Sequence, residues 1–152
     1  AGGSGVVWWG GGGVGGAGGG NGVVRVDLRR WEGGGVGGGS GPRGLASGPA
    51  GRCRFVTLDA EGRVARLDLR TGRVAKVSTG NAPRSLAMAP DGRALYVVNY
   101  ASGTVSKVRA SNMRVMQTVA ACHHPIGITY EPVTRRVWVA CYDGSIRVYD
   151  DR

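Results

Sequence analysis

A block of sequence recurs every 41 or 42 residues, and no other feature restricts the fold as strongly. One copy runs from Asn81 to Arg109: Pro83, then Leu86-Ala87, Pro90-Asp91-Gly92, Leu95-Tyr96-Val97-Val98-Asn99 and Ser102-Gly103-Thr104-Val105. The next runs Pro125, Ile128, Glu131-Pro132, Val137-Trp138-Val139-Ala140-Cys141 and Asp143-Gly144-Ser145-Ile146, so Pro83 to Pro125 is 42 residues and Gly103 to Gly144 is 41. Upstream, Pro42-Arg43-Gly44-Leu45-Ala46 matches Pro83-Arg84-Ser85-Leu86-Ala87, and Phe55 falls where Tyr96 does. A partial copy precedes these, with Val6-Val7-Trp8-Trp9 and Asn21-Gly22-Val23-Val24-Arg25-Val26-Asp27.

Each copy reads as four short strands, because β-branched and aromatic residues come in runs of four to six bounded by Gly, Asp, Asn and Pro. In the copy from Asn81 they fall at 84–88, 94–99, 104–109 and 114–120. Pro-Asp-Gly and Ser-Gly or Asp-Gly supply tight turns where glycine takes positive φ. No segment has helical spacing over ten residues. Four strands per period of about forty residues is the signature of propeller blades. The chain is therefore expected to be all-β, a β-propeller segment of about fourteen strands, with two complete blades flanked by two partial ones. The expected division is 1–40, a partial blade with glycine-rich insertions; 41–80 and 81–122, complete blades; and 123–152, a blade lacking its outer strand.

The words Leu95-Tyr96-Val97-Val98-Asn99 and Gly103-Thr104-Val105, with Pro-Asp-Gly before them, resemble the YVTN repeat family of β-propellers. The resemblance covers Gly41 to Asp150 well and Val6 to Asp27 weakly. It implies a closed ring, usually of seven blades, in proteins often exported to the periplasm or cell surface. Fourteen strands make about half such a ring, so the sequence reads as part of a longer chain or as an arc closed by another copy or another chain.

Twenty of the 30 glycines lie between Gly2 and Gly41. Gly10 to Gly20 and Gly33 to Gly41 read as loop insertions that behave as mobile tethers. A phosphate-cradling loop is the sharper alternative for the first tract, but no Gly-Lys-Ser/Thr ending or following helix supports it. No apolar run reaches the roughly 18 to 20 residues of a membrane-spanning helix.

Formal net charge is +10, from 18 Arg and two Lys against 10 acidic residues. Arg52, Arg63, Arg73, Arg93, Arg135 and Arg136 sit beside Gly, Asp or Thr in apparent turns, without the dense runs and interleaved aromatics that read bases, which argues against specific nucleic-acid binding.

In a propeller the loops entering each innermost strand and those joining its second and third strands emerge on one face. Arg43 and Arg84 share one repeat position there, Ile126 replacing them in the next blade, and together they would make an anion clamp or cap their own blades. Asn81, Tyr100, His123, His124, Tyr142 and Asp143 join them as candidate ligand-binding residues. His123 and His124 stand beside Cys122, but adjacent residues ligate one ion poorly, so neither metal nor cofactor is assigned. Hairpin register would set Cys141 nearer Ile126 than Cys122, leaving a Cys122–Cys141 disulfide open. Tyr96, Trp138 and Phe55 share a repeat position that belongs in the interblade core.

No nucleophile elbow is present, and Asp27, Asp68 and Asp150 recur at strand ends where they would fix turns. The chain is accordingly expected to be a binding module for a protein, or for an anionic or carbohydrate surface component. A place in an enzyme propeller, lactonase-like or a periplasmic redox protein, is the alternative. A structural scaffold in a larger assembly is a third reading.

Overall fold

The computed structural model describes residues 4–10, 21–27, 32–37 and 39–152, with side-chain environments from residue 39 onward. Among these residues fourteen strands form four antiparallel meanders. The first contains β1 (Ser4–Gly10), β2 (Asn21–Asp27) and β3 (Glu32–Gly37); the second β4 (Pro42–Ser47), β5 (Cys53–Leu58), β6 (Arg63–Asp68) and β7 (Val74–Ser78). The third contains β8 (Pro83–Met88), β9 (Ala94–Asn99), β10 (Thr104–Arg109) and β11 (Arg114–Ala120); the fourth β12 (Pro125–Glu131), β13 (Arg136–Cys141) and β14 (Ile146–Asp150). Strands β4, β8 and β12 lie side by side as the inner edges of successive sheets.

The glycine-rich stretch from Gly33 departs from expectation. Gly33 to Gly37 lie within β3 and pair in register with Val26 to Gly22 of β2 instead of forming a loop. The ladder uses only backbone N–H and C=O groups, which glycine supplies as well as any residue. The tract from 11 to 20 lies outside the described residues, as do the side chains of Trp8 and Trp9.

The sheets stack face to face, which explains their apolar alternation. Leu95 and Val97 of β9 point toward the second sheet, where they meet Phe55 and Val64 and pack with Leu86 of their own sheet. Tyr96 and Val98 point the other way, against Val137, Val139 and Cys141. All six β9 residues are buried in consequence, whereas β13 alternates exposed and buried. Each fully buried Val or Leu contributes about 1.5–3 kcal/mol. At the shared repeat position Phe55 is 1% and Tyr96 5% exposed, but Trp138 is 40% exposed. Trp138 faces away from the third sheet, with Ile146 and Val148 also exposed on β14.

Polar contacts between sheets repeat with the blade. Thr57 Oγ1 accepts from the Gly44 N–H at 2.6 Å and donates to the Arg84 carbonyl at 3.1 Å. A Cβ at Gly44 would lie 2.8 Å from that carbonyl oxygen, so the approach requires glycine. From the third strand of each complete sheet a cation reaches the residue 44 positions onward, in the next sheet. Arg66 Nη1 donates to the Ala110 carbonyl at 2.6 Å, and Lys107 Nζ to Asp151 Oδ1 at 2.6 Å. Tyr130 completes the second latch, its hydroxyl donating to Asp151 Oδ2 at 2.7 Å.

Candidate functional site

The loop face is organised by one turn used three times. The residue before the inner-strand proline has a left-handed backbone in the second, third and fourth sheets: Gly41 at φ 66°, Ala82 at 52° and His124 at 54°. Its carbonyl accepts from the residue that follows the second strand: Asp59 N at 2.8 Å, Tyr100 N at 2.9 Å and Tyr142 N at 3.0 Å. Residues 59, 100 and 142 are thereby held near the residue after the proline. In the second sheet that pairing is ionic, with Arg43 Nε 3.7 Å from Asp59 Oδ2. In the third the Arg84 guanidinium lies 3.7 Å from the centroid of the Tyr100 ring, a cation–π contact.

The stack continues into the fourth sheet. The Tyr100 and His124 rings are 4.1 Å apart and 6° from parallel, His123 packs 3.7 Å from His124, and Tyr142 stands edge-on to His124 at 6.3 Å and 79°. Arg84, Tyr100 and His124 are half-buried, whereas His123 and Tyr142 are exposed. The result is a layered cationic and aromatic surface spanning two sheets. Partial burial, aided by His123 and the positive Arg84, holds the His124 imidazole below its ordinary pKa of 6.5. The ring is thus kept neutral at neutral pH.

Covalent bracing surrounds this surface. Cys122, after β11, and Cys141, at the end of β13, form a disulfide with Cα atoms 6.1 Å apart. Cys141 pairs with Pro125 as the register requires, but left-handed His124 turns the preceding chain back so that Cys122 reaches it. The bond pins the two loops that carry His123, His124 and Tyr142. Cys53 is the free cysteine among the described residues.

Five of the eight expected site residues therefore meet: Arg84, Tyr100, His123, His124 and Tyr142. Arg43 remains with Asp59 on its own sheet. Asn81 serves through its backbone, its N–H donating to Ser102 Oγ at 2.8 Å and its carbonyl accepting from Ala101 N at 3.2 Å. Asp143 closes its own turn, Oδ1 accepting from the Ser145 hydroxyl at 2.6 Å and N–H at 2.9 Å; these bonds lower its carboxyl pKa. Among the described residues no three His, Cys, Asp or Glu side chains gather as a metal site, and no helix is long and apolar enough to cross a membrane.

Solved structures match this arrangement of sheets. The hydrazine synthase of Kuenenia stuttgartiensis aligns with a TM-score of 0.69 at 30% identity, over 72% of this chain and 32% of that one. A streptogramin B lyase aligns at 0.69 and 16% identity, over 87% and 48%, and the RRP9 WD40 repeats at 0.66 and 15%, over 73% and 36%. The chain is a segment of a β-propeller. This propeller segment spans a third to a half of the length of those solved structures. No family model and no curated protein matches its sequence.

Proposed function

We propose that the chain is part of a YVTN-type propeller that acts outside the cytoplasm as a non-enzymatic binding module, its loop face recognising a carboxylate-bearing protein partner. The observation that carries this reading is the braced stack of Arg84, Tyr100 and His124 with Tyr142 at its edge. Tyr supplies contact area with only two side-chain torsions to order, and Tyr and Arg are enriched among the residues that dominate binding energy at interfaces. The disulfide supports an oxidising compartment. The WD40 likeness is consistent with protein recognition. The exposed Trp138 face would receive the adjoining blade of a closed ring, supplied by further sequence or another chain.

Titration of an acidic peptide panel, followed by backbone NMR, tests the reading. Binding should shift resonances of Arg84, Tyr100, His124 and Tyr142, and Tyr100→Ala should weaken it by roughly thirtyfold, about 2 kcal/mol. Perturbations mapping elsewhere, or an unaffected Tyr100→Ala, would sink it. Protonating His124 places a second cation beside Arg84. Because its folded pKa is depressed, the stack should lose stability as pH falls from about 6.5 through that lower value. Proton NMR of the His124 and Tyr100 rings over that range would show whether the rings separate.

The enzyme-propeller reading draws on the hydrazine synthase likeness. Its test is titration with haem and with divalent zinc, read by absorbance and by histidine resonances; stoichiometric binding at His123 or His124 would favour it.

A further inference from the structure

The opposite face of the propeller, where the remaining hairpin turns emerge, carries a groove of about 1210 Å³ running across the second, third and fourth sheets. It exceeds the roughly 300–1,000 Å³ of ordinary small-molecule sites. Seven cationic side chains line it against three carboxylates. The charge is assembled by the repeat: Arg52, Arg93 and Arg135 precede the second strand of successive sheets, 41 and 42 residues apart, and are dispersed in the sequence but gathered in space. Their carbonyls accept from Leu69, Ala110 and Asp151 N–H groups at 3.0, 2.9 and 2.9 Å, which fixes the backbone beneath each.

Part of the charge is engaged in the fold. Arg66 bonds the Ala110 and Ser111 carbonyls, while Lys107 and Arg135 face Asp151. Arg52, Arg73, Arg93 and Arg109 remain exposed in the groove and form no ion pair among the described residues. A cleft with excess positive charge concentrates anions, and guanidinium groups offer paired donors to sulfate or carboxylate.

Two further observations define the ligand. Phe55, the one aromatic residue lining the groove, is 1% exposed, so there is no stacking platform for a nucleobase. Asp68 and Asp91 lie between the arginines; each uses Oδ1 to accept from its own turn, leaving Oδ2 to accept a hydroxyl. Carboxylates in an anion-binding groove suit a ligand that carries hydroxyl groups as well as charge.

We propose that this groove binds an acidic polysaccharide, its sulfate or carboxylate groups lying on Arg52, Arg73, Arg93 and Arg109 and its sugar hydroxyls donating to Asp68 and Asp91. The site is separate from the loop-face stack and stands on different residues.

The test compares binding of a heparin-derived oligosaccharide by calorimetry across three proteins of verified circular dichroism. These are the wild-type chain, Arg52→Gln/Arg93→Gln in the groove, and Arg63→Gln/Arg147→Gln, which removes equal charge outside it. The groove variant should bind at least about tenfold more weakly, while the control stays within about twofold of wild type, and wild-type affinity should fall with added salt. Equal losses in both variants would reduce the effect to net charge and overturn the site, as would no wild-type binding. Tighter binding of polyphosphate or single-stranded DNA at matched charge would overturn the choice of ligand.

Discussion

Asp151→Ala is expected to lower the unfolding free energy by about 3 kcal/mol, measured by urea denaturation at neutral pH. The Asp151 side chain is 6% exposed and accepts from Lys107 and Tyr130 on two different strands. Its removal leaves the Lys107 ammonium, itself 19% exposed, without a counter-charge and the Tyr130 hydroxyl without its acceptor. The double variant Lys107→Met/Asp151→Leu should lose much less, because apolar groups replace both partners. A single-variant loss below about 0.5 kcal/mol would mean that the latch does not hold the third and fourth sheets together.

The same residue predicts an acid limb. Burial alone would raise the Asp151 pKa, but the Lys107 ammonium and the hydroxyls of Tyr96 and Tyr130 overcome it and lower the value to about 2, against an ordinary 3.8. A depressed carboxyl pKa contributes stability that is complete above about pH 4 and disappears as pH falls through about 2. The change amounts to about 2 kcal/mol. In Asp151→Ala this part of the acid slope should vanish.

Reduction of Cys122–Cys141 has the second large effect. The bond closes a sequence separation of 19 residues, for which the chain-entropy model assigns about 3 kcal/mol. Thermal unfolding should therefore move down by roughly 6–12 °C under reductant, and Cys122→Ala/Cys141→Ala should melt at that lower temperature regardless of reductant. Native protein should present one reactive thiol, Cys53, and reduced protein three. Because His123 and Tyr142 directly follow the bonded cysteines, loosening of the aromatic stack should accompany reduction. An unchanged melting temperature would show that the loops are held without the bond.

The repeat made the strands legible almost to the residue. Ala94–Asn99, Thr104–Arg109 and Arg114–Ala120 agree with the expected bounds, and β8 begins one residue earlier than expected, at Pro83. Turns rich in Gly, Asp and Pro punctuate each strand, so propensity and spacing agree. The common loop face was also legible, but not the stack. Tyr100 and His124 occupy different repeat positions, and their parallel contact depends on how the second-to-third-strand loop of one blade meets the entry loop of the next. Asn81 and Asp143 were legible as polar residues of that face but stand outside the stack: Asn81 is engaged through its backbone by Ser102 and Ala101, and the Asp143 carboxylate bonds Ser145 in its own turn. The disulfide was obscured for a different reason: strand register places Cys141 opposite Pro125, and the left-handed turn at His124 that returns Cys122 is not encoded by register. Gly33–Gly37 misled through composition, since strand pairing there uses the backbone alone.

The 44-residue latch bears on how such an array can grow by tandem duplication. Each copied unit carries a donor for the unit after it and an acceptor for the unit before it, so every internal junction is regenerated without new mutation. Arg25, Arg66, Lys107 and Val148 occupy the donor position in turn. That position thus reads Arg, Arg, Lys and then apolar, and the acceptor is a main-chain carbonyl at the Arg66 junction and the Asp151 carboxylate at the Lys107 junction. Because one junction ends on a neutral acceptor and the next on an ionic one, neighbouring units are not interchangeable and their order in the array is specified.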